Sequence, residues 1–113
     1  MAKENQKDVI TALEEAYILK GVEPVLTFLE VNPGLTNLLI EAYNQIASHF
    51  MQARCSLEVI TDPEIGYQQL LLSVVTPLEF EEAMNTLDQF RDSWWIENLE
   101  RTNAELILDV ELK

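Results

Sequence analysis

The spacing of apolar residues changes near residue 55, and this change constrains the fold more than any other feature of the sequence. Before it, apolar residues recur every three or four positions, which is typical of amphipathic helices. After it, Leu57, Val59 and Thr61 alternate with their neighbours, which is typical of strands that bury one face. We therefore expect a single α+β domain over residues 1–113, with a helical part at 1–54 and a β-β-α-β part at 55–113.

Three helices are predicted in the helical part. The first carries an apolar stripe from Val9 to Leu19 and ends at Lys20-Gly21, where glycine suits a C-cap. A short second helix starts around Pro24 and ends before Asn32-Pro33-Gly34. The third has Asn32 as N-cap and Pro33 at its first position, and its stripe runs from Leu35 to Met51.

The β-β-α-β part begins with a predicted hairpin. Its turn is Asp62-Pro63-Glu64-Ile65-Gly66, and its second strand is Gln68 to Thr76. Thr76-Pro77-Leu78-Glu79 matches a capping box and predicts a helix. Its core stripe runs from Phe80 to Trp94, and Trp95 falls off this stripe, so we expect the helix to kink or fray after Trp94. A last strand alternates from Leu106 to Leu112. The element order is then α-α-α-β-β-α-β.

Connection length suggests the sheet topology. The roughly thirty residues between the second and third strands suit a crossover between parallel strands. If the third strand pairs with the first, a three-stranded, mainly antiparallel sheet of order 2-1-3 results, a split β-α-β unit packed against helices. Gln68 to Thr76, which has no charged residue, would then be an unprotected edge.

The charge balance limits the possible partners. The chain has 20 Asp and Glu residues against 7 Lys and Arg, a net charge of −13. Such a surface repels phosphate backbones and anionic headgroups, so we expect neither nucleic acid nor a membrane as partner. A basic protein is the complementary choice.

Catalytic and metal-binding patterns are missing from the sequence. His49 and Cys55 are the only residues of their types, and neither has a partner at metal-ligand or nucleophile–base spacing. The three glycines are isolated, so no phosphate-binding loop can be formed. We expect no catalytic site, no metal and no cofactor. The N-terminal ten residues lack the apolar stretch of a secretory signal, and the lone cysteine cannot form an internal disulfide, so we expect a cytoplasmic protein.

Two sets of residues are candidates for an interface. Ile60, Leu71, Val75 and Ile107 would lie on the outer face of the sheet within an acidic and polar rim, unless an N-terminal helix covers them. Trp94 and Trp95 are adjacent, so at most one indole can be central to the core and the other must lie at its border or outside.

These observations support two hypotheses. The first is a non-enzymatic protein–protein interaction module that binds a basic partner, for example as an inhibitor or antitoxin-like protein, and forms a homodimer through its sheet. The alternative is a small-molecule-binding protein or enzyme. Its pocket would lie between helices and sheet, near Tyr17, Tyr43, His49 and Trp94.

Three segments carry a resemblance. Val22 to Pro33, Thr61 to Glu64, and Phe90 to Leu99 with its Trp-Trp pair are similar to segments of small uncharacterised bacterial proteins of about this length. The resemblance covers most of the chain. It implies no activity.

Overall fold

A computed structural model describes residues 10–112 as a four-stranded mixed sheet with helices packed on one of its faces. The elements, in chain order, are α1 (residues 10–16), β1 (Tyr17–Lys20), α2 (Val22–Val31), α3 (Gly34–His49), β2 (Arg54–Thr61), β3 (Gln68–Thr76), α4 (Phe80–Phe90), a π-helical turn (Arg91–Trp95), a 3-10 helix (Ile96–Thr102) and β4 (Leu106–Leu112).

The strands lie in the order β1-β2-β3-β4. β1 is parallel to β2, β2 is antiparallel to β3, and β3 is parallel to β4. The expected three-stranded sheet of order 2-1-3 is therefore wrong. The last strand pairs with its predecessor β3, because the free edge of β2 is already taken by an additional strand.

That additional strand is β1, in a segment predicted to end the first helix. The helix stops at residue 16, and Tyr17–Lys20 pairs with Cys55–Glu58 instead. Tyr17 continues the helical stripe, whereas Leu19, two residues further, fits a strand alternation better. Four residues of alternation are too few to outweigh the longer stripe before them. Pairing with β2, which is distant in sequence, gives the backbone of this segment its hydrogen bonds. Gly21 then turns the chain in a left-handed conformation, at φ 81°.

Gln68–Thr76 is an interior strand and not the edge that the sequence predicted. It pairs with β2 on one side and with β4 on the other. Its lack of charged residues therefore matches its position, since a strand flanked on both sides is shielded from solvent at its backbone. The sheet edges are β1 and β4.

The predicted hairpin is confirmed. In its turn Asp62 Oδ1 accepts the N–H groups of Glu64, at 2.8 Å, and Ile65, at 3.3 Å. Gly66 has φ 72° and donates its N–H to the Asp62 carbonyl at 2.8 Å. The short side chain of Asp62 thus satisfies the backbone donors of the turn.

Two predicted helix caps are wrong. Asn32 does not cap α3, because its side-chain amide donates to the Phe28 carbonyl at the end of α2, at 3.0 Å. Thr76 remains in β3, fully buried, and its hydroxyl accepts the N–H of Leu78 at 3.2 Å. Consequently α4 begins only at Phe80, with Glu79 in the cap position and no side-chain cap bond.

The core lies between the helices and one face of the sheet, which we call the inner face. Its sheet residues are the apolar side chains that alternate inward along the four strands, and it includes Leu57, Leu70, Leu72 and Val74, all fully buried. The Tyr17 hydroxyl donates to the Leu39 carbonyl at 2.7 Å and so connects β1 to α3 inside this core. Within residues 10–112, no helix is long and apolar enough to cross a membrane.

We predict that Tyr17→Phe lowers the free energy of unfolding by about 1 kcal/mol, since it removes a buried hydrogen bond and leaves the rest of the ring in place. Urea unfolding monitored by circular dichroism measures the change. Tyr43→Phe is the matched control, because this half-buried tyrosine packs edge-on against Tyr17 at 5.7 Å, and its hydroxyl has no hydrogen bond to residues 10–112. Equal effects of the two substitutions would contradict the role of the Tyr17 hydroxyl.

Candidate interaction surfaces

The structure brings four of the six predicted interface residues together. Ile60, Leu71, Val75 and Ile107 all point to the face of the sheet opposite the core, the outer face, and all are half-buried. The register places Leu71 directly beside Ile107 on β4 and beside Glu58 on β2. These residues therefore form part of one continuous surface.

The described helices leave the outer face uncovered. α1, α2 and α3 bury residues such as Leu13, Val25 and Leu38 in the core cluster, which lies on the inner face. Within residues 10–112, none of the four apolar residues of the outer face belongs to that cluster or packs against it. The sequence had left open that an N-terminal helix covers this face. None of the helices α1, α2 and α3 does so.

Sequence reasoning missed the β1 side of the outer face. Ile18 is 56% exposed, and Lys20 and Arg54 are exposed beside it. Ile18 and Lys20 are missing from the prediction because Tyr17–Lys20 was assigned to a helix, and Arg54 is missing because the helical part was extended to residue 54. The alternation of Tyr17 and Leu19 with Ile18 and Lys20 was the available signal.

A hollow of about 440 Å³ opens on this part of the outer face. Ser56, one of its lining residues, pairs with Ser73 across β2 and β3, so two small side chains lie between rows of longer ones. Both serines are buried, at 5% and 3% exposure. The other side chains at the hollow include Ile18, Lys20, Arg54, Val75 and Pro77.

A second concavity, the acidic cleft, lies between α2, the hairpin turn and the start of β4. It measures about 650 Å³. Carboxylates come from Glu23 and Glu105, and an aromatic ring from Tyr67. Apolar lining comes from Pro24, Phe28, Val31 and Val59. No local sequence pattern predicts this site, because its residues come from four separate segments.

Tyr67 and Glu105 are coupled within the acidic cleft. The Tyr67 hydroxyl donates to Glu105 Oε1 at 3.0 Å, and this bond, together with the nearby negative charge, raises the pKa of Tyr67. Gln69 donates to the Ala104 carbonyl at 3.0 Å on the same side. These contacts fix the start of β4 against β3 and hold the Glu105 carboxylate at the cleft.

The two tryptophans lie in a separate aromatic cluster with Phe90 and His49. The N–H of Ile96 donates to the carbonyl of Arg91, five residues back, so the helix forms a π-helical turn here. The turn shifts the buried side by one residue, which places Trp95 in the core at 8% exposure and Trp94 at its half-buried border. The predicted stripe had placed Trp94 in the core and Trp95 off it.

His49, Cys55 and the aromatic residues of the alternative pocket all make packing contacts or are buried in the structure. His49 Nδ1 lies 2.8 Å from the Gln45 carbonyl and Nε2 lies 3.3 Å from the Ser93 hydroxyl, while the ring packs edge-on against Phe90. Cys55 is buried, and burial raises the pKa of its thiol to about 11. Four residues were predicted to line the pocket of the alternative hypothesis. Two of them, Tyr17 and Tyr43, pack against each other, whereas His49 and Trp94 both pack against Phe90.

In the part of the chain that the structure describes, no three His, Cys, Asp or Glu residues are placed to hold a metal ion. The 3-10 helix that follows the two tryptophans is connected to α3 by the Arg101 guanidinium, which binds both carboxylate oxygens of Glu41. This bond and the charge of Arg101 lower the pKa of Glu41. Asn98 accepts from Arg101 at 3.0 Å and donates to the Trp94 carbonyl at 2.9 Å.

Comparison of the chain with protein-family models, with curated proteins and with solved structures finds no match.

We predict that Trp95→Ala destabilises the protein by about 3–5 kcal/mol and that Trp94→Ala costs clearly less, because only Trp95 is enclosed by the core. Chemical unfolding of both variants measures the difference. Equal costs, or a larger cost for Trp94→Ala, would contradict the register that the π-helical turn imposes.

We predict that stability falls as the pH rises from about 9 to 11. The folded state raises the pKa of Cys55 from its ordinary 9.0 to about 11, so it holds this proton more tightly than the unfolded chain does. This stabilisation is complete below pH 9.0, the ordinary pKa of the thiol, and it is lost as the pH rises through about 11, its pKa in the folded state. Tyr17, whose pKa burial also raises, acts in the same direction.

Urea unfolding across this pH range is the measurement, with Cys55→Ala as the comparison. The variant is less stable at neutral pH, because it loses a buried side chain, but its stability falls less steeply with pH. A slope identical to that of the wild type would exclude the Cys55 contribution.

Proposed function

We propose that the chain is a non-enzymatic protein–protein interaction module that binds a basic segment of a partner protein in the acidic cleft. The observation that carries the proposal is the composition of that cleft. Two carboxylates, Glu23 and Glu105, share one concavity with an apolar lining. The opposite signs of cleft and ligand select for Lys and Arg.

The lining matches the two parts of a basic side chain. The methylene stem of Lys or Arg packs on apolar groups while its charged end remains at the polar rim. Phe28 and Val31 supply the apolar contacts, and the carboxylates supply the acceptors. Tyr67, which is 43% exposed, adds a ring on which a cation can stack.

The Tyr67–Glu105 hydrogen bond prepares the cleft for such a ligand. It holds the carboxylate through one oxygen, Oε1, and leaves further acceptor positions on both oxygens. A guanidinium with its several N–H donors uses such positions better than an ammonium does. We therefore expect the cleft to prefer Arg to Lys.

The remaining charge of the protein increases the rate of encounter. A net charge of −13 attracts a basic partner from a distance, and salt weakens this attraction. The proposal places the protein in the cytoplasm, where the buried Cys55 stays reduced. Inhibition of a basic protein, as by an antitoxin, is one form that such binding takes.

The test uses short fluorescent peptides that share the same apolar residues and carry either Arg, Lys or Glu at the charged positions. Fluorescence anisotropy is expected to show binding of the Arg peptide, weaker binding of the Lys peptide and none of the Glu peptide. Raising the salt from about 50 to 300 mM weakens the binding, because the Debye length shortens.

The double variant Glu23→Gln/Glu105→Gln is expected to weaken binding of the Arg peptide by up to about thirtyfold, since exposed ion pairs are worth up to ~1 kcal/mol each. Glu81→Gln/Glu82→Gln on α4 changes the net charge equally at exposed positions outside the cleft. An equal loss in both double variants would mean that the peptide responds to net charge alone and would refute the cleft.

A further inference from the structure

The outer face of the sheet carries its charges asymmetrically. Two of the seven Lys and Arg residues of the chain, Lys20 and Arg54, lie on β1 and β2. Asp109 and Glu111 lie on β4, at the opposite edge. All four side chains are exposed, whereas Glu58, the fifth charged residue of the strands on this face, is half-buried on β2 beside Lys20.

The register fixes the heights of these charges along the strands. Arg54 is level with Glu111, because both pair with Val75. Lys20 is level with Ile107, because Lys20 pairs with Glu58, Glu58 with Leu71, and Leu71 with Ile107. Asp109 is therefore two residues further along β4 than the level of Lys20, about 6.6 Å, which is within the reach of a lysine side chain.

Two-fold symmetry turns this asymmetry into self-complementarity. Rotation about an axis parallel to the strands and lying between two stacked sheets keeps each height, and it places β4 of one copy over β1 of the other. The cations of each copy then face the carboxylates of its partner. A two-fold axis across the strands would instead stack β1 on β1 and bring cations together.

We propose that the outer face binds a second copy of this chain face to face, about a two-fold axis parallel to the strands. The half-buried Leu71, Val75 and Ile107 supply the apolar contacts on either side of Ser73. Lys20 and Arg54 of each copy pair with Asp109 and Glu111 of the other at its margins. This surface is separate from the acidic cleft, so the proposal does not depend on peptide binding.

Charge and area set the expected strength of the dimer. The outer face holds both signs, so the excess negative charge lies mainly elsewhere on the molecule, where salt screens it within about 8 Å. Four strands about 4.8 Å apart and about six residues long give a footprint of roughly 400 Å². Specific complexes bury about 800 Å² of accessible surface per partner, so we expect a dimer that dissociates on dilution in the micromolar range.

The experiment exchanges the charges and measures mass by sedimentation or light scattering over a concentration series. Lys20→Glu/Arg54→Glu and Asp109→Lys/Glu111→Lys each place like charges opposite one another, so each variant alone is expected to be monomeric. An equimolar mixture of the two restores opposite charges at both margins and is expected to form a heterodimer. The variant with all four substitutions, whose net charge equals that of the wild type, is expected to form a homodimer.

Asp88→Lys/Asp92→Lys changes the net charge as much as the acid-to-lysine variant does, at exposed positions on the helical side, and is expected to remain dimeric. Ile107→Lys replaces an apolar contact by a cation that is level with Lys20 of the partner, and is expected to give a monomer with an unchanged circular dichroism spectrum. A monomeric wild type at all concentrations would overturn the proposal, as would a mixture that does not associate. A dimer that withstands both charge exchanges and Ile107→Lys would show that another surface mediates it.

Discussion

The parallel pairing of Tyr17–Lys20 with Cys55–Glu58 is the contact on which the rest of the structure depends. It occupies the free edge of β2, so the last strand cannot pair with β2, and it pairs with β3 instead. It also brings Tyr17 into the core, where its hydroxyl connects β1 to α3. Without this short strand the sheet would lose Ile18 and Lys20, and the outer face would carry one cation fewer.

Sequence patterns predicted the elements that local interactions determine. The hairpin follows from the Asp62 turn and two alternating segments, and the long stripe from Leu35 predicted α3. The shared face of Ile60, Leu71, Val75 and Ile107 also followed, because alternation within each strand fixes the side to which a residue points. Their role as an interface remains a prediction.

Contacts between distant segments determine what the patterns missed. β1 exists because β2 offers a partner, and no property of Tyr17–Lys20 alone reveals that partner. The acidic cleft combines residues from α2, β2, the hairpin turn and the start of β4. The burial of Trp95 in place of Trp94 depends on one extra residue in a helical turn, which the stripe could not reveal because indoles occupy both positions.

The position of the hairpin in the middle of the sheet has a kinetic consequence. β2 and β3 are adjacent in sequence, whereas β1 and β4 reach the sheet only across helical connections, which take longer to close. We expect the hairpin to form first in folding and the outer strands to add to it afterwards. In the folded protein, amide hydrogens of β1 and β4 should accordingly exchange with solvent earlier than those of the two central strands.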